Sequence, residues 1–576
     1  MIVSEFPNAI ASPFYIVWSE YSLRTIGVLL LAYFMGVGIY YSTKRNYRRG
    51  EEMGSAKWGD PVALCKKYRA KNDGDNKILT QNVKIGLDGR KHRRNLNVLV
   101  CGGSGSGKTR YFAKPNLMQA NGISYFALDP KGEMLASTGG LLEERGYVVR
   151  VLDLISMQRS HCYNPFVYLK DDNDVQRLVT NLFKATTPKG AQSSDPFWDT
   201  AAQMLLLALV FYLKYEAPEE EQNFPMVMEM LRAGDIDEED SSSYSPLDRL
   251  FYTLGDKEPN HIAFKYYKSY RSGSAKTLKS IQITLASRLE KFNLESLASL
   301  TSTDELELDK MGERKTALFA IIPDNDESFN FLVSILYTQL FQQLFYVADH
   351  KYGGRLPVHV HLIMDEFANL SLPDSFDKIL SVMRSREVSV SIILQNMAQL
   401  KALFEKQWES ITGNCDEFLY LGGNEQSTHN YVSELLGKET IDTNNYNRSY
   451  GRNGSYSTGY QLSGRELLDP AEIRMLDNKY ALLFIRGERA VKDEKYNILK
   501  HPNIALTSDG GAEPYVHGRV EGDIATVEII EYLDSDTTDS EESAETTGYE
   551  LVSDTELLKE IEEAENNAKN ENEKKN

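Results

Sequence analysis

The stretch NVLVCGGSGSGKTRYFAKPN, Asn97 to Asn116, constrains the fold more than any other part of the chain. An apolar run enters a glycine-rich loop that closes on Gly107-Lys108-Thr109. Gly102-x4-Gly107-Lys108-Thr109 fits the P-loop pattern. Gly102, Gly103, Gly105 and Gly107, with Ser104 and Ser106 among them, let backbone N–H groups turn inward around a β-phosphate. Lys108 reaches the β- and γ-phosphates, and the Thr109 hydroxyl binds Mg²⁺. ATP and Mg²⁺ are therefore the expected cofactors. LNVLV reads as a buried strand and GKTRYFAKPNLMQ as the start of a helix, the context such a loop needs.

A P-loop calls for an acidic strand beside it. VHVHLIMDEFANL, Val358 to Leu370, alternates and then ends its apolar run in Asp365-Glu366. Carboxylates at the C-terminal edge of a parallel sheet sit where α/β proteins bind nucleotides. Asp365 is expected to hold Mg²⁺ through water and Glu366 to polarise the attacking water. VSVSIIL is a further strand, and Gln395 at its C-terminal end can touch the γ-phosphate. Arg384 and Arg386 precede that strand, so they lie at its opposite end. They cannot reach the same nucleotide, but in a ring either could serve a neighbour as an arginine finger. ISYFALDPKGE, YVVRVLDL, KTALFAIIPD and KYALLFIRGE read as additional strands. Strands alternating with helical patterns imply an α/β fold with a doubly wound, mainly parallel sheet.

The chain runs to 576 residues, enough for two to four domains. No charge occurs between Arg24 and Lys44, a 19-residue stretch long enough to cross about 28 Å of hydrocarbon. Lys44, Arg45, Arg48 and Arg49 follow it, which by the positive-inside rule places the bulk of the chain in the cytoplasm, behind a single-pass anchor in the cell membrane. The charge order, with Glu5 and Glu20 before the apolar run, is the reverse of a signal peptide. Cys65, Cys101, Cys162 and Cys415 are scattered without metal-site spacing, which fits a reducing compartment. The net charge of −19 misleads. Nineteen acids and four lysines lie between Glu521 and Asn576, so −15 belongs to that tail and −4 to everything else. Overall acidity therefore does not exclude a nucleic-acid partner.

The blocks GSAKWG, NVLVCGGSGSGKT, ALDPKGE, YNPF, DPFWDTAAQMLL, GSAKTLKSIQITLASRL, IMDEFANL, SIILQNMAQL and FIRGERAVKDEKYNILKHPN follow one another between Gly54 and Asn503. Together they resemble the type IV coupling proteins, the membrane ATPases of conjugative DNA transfer. The resemblance implies a RecA-like P-loop motor domain with an inserted all-α domain. It implies a homohexamer acting on single-stranded DNA that carries a covalently bound relaxase, delivered to a type IV secretion channel. By motif, Lys108 and Thr109 match the nucleotide–Mg²⁺ ligands, Asp365 and Glu366 the second acidic motif, and Gln395 the sensor glutamine. Arg384 matches the finger better than Arg386 by its spacing ahead of that glutamine. The family usually carries two membrane spans. Here one is evident, and either the N-terminus is shortened or Phe6 to Ser19 replaces the first.

The expected organisation is an extracytoplasmic segment at 1–24, a transmembrane helix at 25–43 and a nucleotide-binding domain at 44–170 and 309–510. The all-α insert occupies 171–308 and an acidic, largely disordered tail 511–576. The insert carries Arg271, Lys276, Lys279, Arg288 and Lys291, which suit either DNA contact or an ordinary solvated face. Asn444 to Arg465 lacks an apolar period and reads as a loop. Its interleaved Tyr446, Tyr450, Tyr456, Tyr460, Arg448 and Arg452 suit stacking on unpaired bases, or simply an exposed surface. The tail suits docking of a basic DNA-processing partner, or solubility alone. Two other readings share the motifs: a duplex-DNA translocase of the chromosome-segregation type, and a nucleotide-binding receptor that pumps nothing.

Overall fold

The computed structural model describes residues 18–44, 48, 50–187, 196–235, 244–323, 326, 328–367, 376–448 and 456–518, with side chains at 444–460 left out. Most of the N-terminal segment, the stacking residues between Tyr446 and Tyr460 and nearly all of the acidic tail lie outside that description.

Thirteen strands form in chain order: β1 (Asn76–Ile78), β2 (Lys84–Gly86), β3 (Val98–Cys101), β4 (Ser124–Pro130), β5 (Val148–Asp153), β6 (Thr316–Ile322), β7 (Val360–Met364), β8 (Val388–Leu394), β9 (Glu417–Tyr420), β10 (Lys438–Arg448), β11 (Tyr456–Glu466), β12 (Tyr480–Ile485) and β13 (Val491–Glu494). Nine of them make one sheet in the order β13-β12-β9-β3-β8-β7-β4-β6-β5. β3 to β9 run parallel, and β12 and β13 close one edge antiparallel. The central strands are apolar on both sides because both faces are covered. In β4, Phe126 and Leu128 enter one core while Tyr125 and Ala127 enter the other. Leu99 and Cys101 of β3 likewise part company with Val98 and Val100.

Between β5 and β6 the described residues hold no strand. Seven helices run there instead, from Asp172–Thr186 through the long Pro196–Glu216 to Glu295–Leu300. Their apolar side chains, Leu178, Leu205 and Phe251 among them, join the same core as Phe126 and Leu128 of the sheet. The insert is therefore packed onto one face of the sheet rather than built around a core of its own. Its basic residues are mostly engaged within the fold. Arg271 pairs with buried Asp248 at 2.7 Å, and Arg288 with Asp199 at 3.0 Å. Lys279 pairs with Asp235, and Lys291 donates to the Ser328 carbonyl.

The sequence predicts a loop over Asn444 to Arg465, and the described part of that segment departs from it. β10 and β11 form an antiparallel ribbon registered from Lys438↔Glu466 to Arg448↔Tyr456. Backbone pairing defines this ribbon, so no apolar period marked it in the sequence. Its base is fixed by the segment after the N-terminal helix. The Thr440 hydroxyl accepts from the Met53 and Gly54 amides at 3.0 and 3.1 Å. A Cβ at Gly54 would stand 2.1 Å from the Lys438 carbonyl oxygen, so only glycine fits there.

Among the described residues, three helices are long and apolar enough to cross a membrane. Pro196–Glu216 and the helix beginning at Asn330 are largely buried in the protein core. Ser22–Thr43 is not: none of its residues is buried, and Leu23, Val28, Phe34 and Tyr41 are exposed.

β1 is tied to β9 by an ion pair sealed from solvent. Lys77 Nζ donates to Glu417 Oε2 at 2.9 Å and to the Leu96 carbonyl at 3.0 Å, with both side chains at most 3% exposed. Losing one partner strands a buried charge. Lys77→Met should destabilise the chain by about 3–5 kcal/mol, and Lys77→Met with Glu417→Leu should recover most of that loss. Urea denaturation of the single and double variants measures both effects.

Candidate functional site

The parallel register brings the C-terminal ends of β3, β8, β7 and β4 to one edge. β8 lies between the P-loop strand and the acidic strand, pairing Cys101↔Leu394 on one side and Met364↔Ile392 on the other. The P-loop leaves β3 at Gly102, whose amide donates to the Leu394 carbonyl at 3.0 Å. Gly105 and Gly107 take φ of 74° and 82°, which the tight turn requires and which side-chain-bearing residues rarely adopt. The helix after the loop opens on a wide turn, Thr109–Ala113, before continuing over Lys114–Met118. Lys108 Nζ donates to the Gly102 and Gly103 carbonyls at 3.0 and 3.4 Å, so the amine lies across the mouth of the loop.

Thr109 and Asp365 meet directly: the hydroxyl donates to Asp365 Oδ2 at 2.8 Å. Two residues 256 apart in sequence are thereby joined at the sheet edge. Asp365 is buried, and burial holds its carboxyl above the usual range despite the Thr109 hydrogen bond and the nearby Lys108 charge. Glu366 follows in the left-handed region at φ 53°, half-buried. A glutamate there stores local strain that tertiary structure must hold. Gln395 caps β8 at the same edge, exposed, with its amide donating to Gln399 Oε1 at 3.1 Å.

Arg384 sits at the other end of β8, in the turn Arg384–Arg386. It is exposed, and one guanidinium nitrogen donates to the Gly89 carbonyl at 3.3 Å. Arg386 is committed elsewhere, paired with both oxygens of Asp349 at 2.7 to 3.2 Å. Arg384 opens onto a cleft of about 1020 Å³ together with Lys71, Arg90, Lys91, Arg94 and Arg355, against Asp75, Asp88 and Glu387. The two ends of the sheet thus carry opposite character: buried carboxylates at one, a basic cleft at the other.

Asp129 and Lys495 are features the sequence reading left without a role. Asp129 is the penultimate residue of β4, beside the acidic strand and one residue beyond the pair Leu128↔Met364. It is 1% exposed and accepts from the Leu135 amide at 2.8 Å. Burial, with Asp365 and Glu133 nearby, lifts its carboxyl to about 7. The signal in the sequence was the same as for Asp365, an apolar strand ending in an acid. Lys495 contacts the P-loop from the far end of the chain. Its side chain lies only a few residues past the β12–β13 edge, in a block with no recognised spacing.

These residues lie on a P-loop α/β fold with an acidic strand one strand away. The chain belongs to the family of type IV secretory system conjugative DNA transfer proteins, which it matches over residues 53–510. Protein VirD4 of Rhizobium radiobacter is 22% identical over 409 residues, covering 69% of this chain and 56% of that protein. The chain spans little more than half the length of the curated relatives it matches. The fold is shared with the plasmid coupling protein TrwB. Its complex with the non-hydrolysable ATP analogue ADPNP aligns at TM-score 0.55 and 16% identity, over 78% of this chain and 95% of TrwB. Its complex with ADP and Mg²⁺ aligns at TM-score 0.53 and 18% identity, over 75% and 91%.

Asp129 gives a pH signature. Its folded-state carboxyl lies above the unfolded value, so it stabilises the fold fully only below about pH 4 and loses that contribution as pH rises through about 7. Asp129→Asn should match the wild type in urea stability near pH 4.5 and become the more stable of the two by pH 7.5, measured without nucleotide or Mg²⁺. Parallel stability curves would remove the assignment.

Proposed function

We propose that this chain is a membrane-anchored ATPase of conjugative DNA transfer, which uses ATP hydrolysis to deliver a relaxase-bound single strand into a type IV secretion channel. Family membership supports the process. The observation that carries the enzymatic reading is the Thr109–Asp365 contact, which joins the P-loop to the acidic strand at a sheet edge.

The residues present fit MgATP. The turn glycines of 102–107 leave backbone N–H groups for phosphate oxygens, and Lys108 is already at the loop mouth. Bound MgATP would supply the transferable γ-phosphoryl group. Thr109 and Asp365 would hold the cation, Asp365 through water. Glu366, set apart from Asp365 by its left-handed backbone, would orient and deprotonate the attacking water. Gln395 would contact the γ-phosphate from the neighbouring strand.

Arg384 faces away from that edge, so its role lies between subunits. A homohexameric ring would set one subunit's basic cleft against the next subunit's nucleotide. The RecA-like motor is read at 44–170 and 309–510, with the helical insert at 171–308. The open apolar helix Ser22–Thr43 is read as a single transmembrane anchor that leaves the rest in the cytoplasm, because the basic residues from Lys44 to Arg49 follow it. The acidic tail is read as the docking arm for a basic DNA-processing partner.

Lys108→Ala should abolish ATPase activity in the full chain. Glu366→Gln should retain ATP and lower turnover by about 100-fold or more, the range a general base contributes. DNA-stimulated turnover in the wild type separates a motor from a passive receptor; normal turnover by Glu366→Gln would remove that residue from the chemistry.

A trans role for Arg384 has its own test. Arg384→Ala and Lys108→Ala chains are each expected to be inactive alone. Mixed rings should regain part of the activity, since an intact Arg384 can then face an intact P-loop. Mixed rings verified by mass and yet inactive would place Arg384 outside the reaction.

A further inference from the structure

Lys495 follows β13, and its amine is buried against the P-loop. Nζ donates to the Ser106 carbonyl at 2.8 Å and to Asn478 Oδ1 at 2.6 Å. The residue is 6% exposed, and among the described residues no carboxylate pairs with it. A buried ammonium without a counter-ion is costly unless the site gains from its charge. Here it lies 5.4 Å from the Tyr111 ring centroid, and that ring fills the space a Cβ at Gly107 would occupy, at 2.3 Å. Lys495 and Tyr111 thus both bear on the end of the loop, one at Ser106 and the other at Gly107.

We propose that Lys495 is a positioning residue for the nucleotide phosphates. It draws the Ser106 carbonyl outward so that the adjacent loop amides face the phosphate side, and it adds a second fixed positive charge beneath the loop that Lys108 crosses. The anion it serves is the polyphosphate of the nucleotide, so this inference rests on the nucleotide reading of the site. Burial lowers the Lys495 amine to about 8, as expected where the countercharge arrives with a ligand.

The surrounding segment is held independently. Asp509 accepts from Lys114 at 3.0 Å, from Ser137 at 2.8 Å and from Arg110 at 3.4 Å, binding the region after Lys495 to the P-loop helix and its neighbour. A change at Lys495 should therefore spare the fold.

The test is calorimetric binding of ADP with Mg²⁺ to the full chain, alongside thermal unfolding without nucleotide. Lys495→Met should lose about 10- to 100-fold in affinity, the scale of a charge-assisted hydrogen bond, with an unchanged unfolding midpoint. Lys495→Arg should recover to within a few-fold of wild type, since it keeps charge and donor. ADP affinity unchanged in Lys495→Met would overturn the inference while leaving the nucleotide reading intact. So would an affinity loss matched by a lowered unfolding midpoint and not recovered by Lys495→Arg. If Lys495→Met does not fold, Lys495→Gln decides: weakened binding in a stable chain supports the role, and wild-type binding overturns it. No binding by the wild type itself would overturn both this inference and the functional reading.

Discussion

Parallel pairing of β3, β8, β7 and β4 is the constraint on which the rest depends. It sends the C-terminal end of each strand to one edge and the N-terminal end to the other. Every residue proposed to hold phosphate or cation lies at the first edge because it follows or closes a strand that ends there. Arg384 lies at the second because it precedes a strand. The contact between Thr109 and Asp365 follows from this register, since β8 fills the gap between their strands and fixes the spacing. A shift of one residue in β7 would turn Asp365 to the other face and break the contact.

Much of this was legible in the sequence. β8 matches the run VSVSIIL residue for residue, and β4, β5, β6, β7 and β12 each formed inside the run inferred for it. Buried parallel strands advertise themselves as continuous apolar runs, and the P-loop fixes one end of the sheet. The ribbon at 438–466 was not legible, because backbone pairing leaves no apolar period. Asp129 was quoted within its block but not weighed, since a single acid after a strand is also an ordinary helix cap. Lys495 lies in the block FIRGERAVKDEKYNILKHPN, but nothing there marks its contact with the P-loop, 389 residues away in sequence. The partner of Arg386 was equally hidden, although that partner is what separates it from Arg384.

The electrostatics of the two edges are complementary. At the nucleotide edge, Asp129 and Asp365 are both buried beside one another, and burial lifts both carboxyls. Burial and mutual proximity disfavour charge on both acids, a cost that a bound divalent cation would relieve. At the opposite edge the cleft holds six basic side chains against three acids. A polyanion bound at one edge of a subunit would match the other edge of its neighbour in sign.

The helical insert shares its core with one face of the sheet, which limits how the two can move. A separate core would permit rigid-body rotation about a hinge, whereas a continuous one transmits displacement through packed side chains. Insert charges that could have faced DNA are instead spent on Asp248, Asp235 and Asp199 within the same packed unit. The insert is thus built to be stiff. Strand β4 belongs to both regions, the nucleotide edge and the core shared with the insert: it carries Asp129 near its C-terminal end and places Phe126 and Leu128 in the common core.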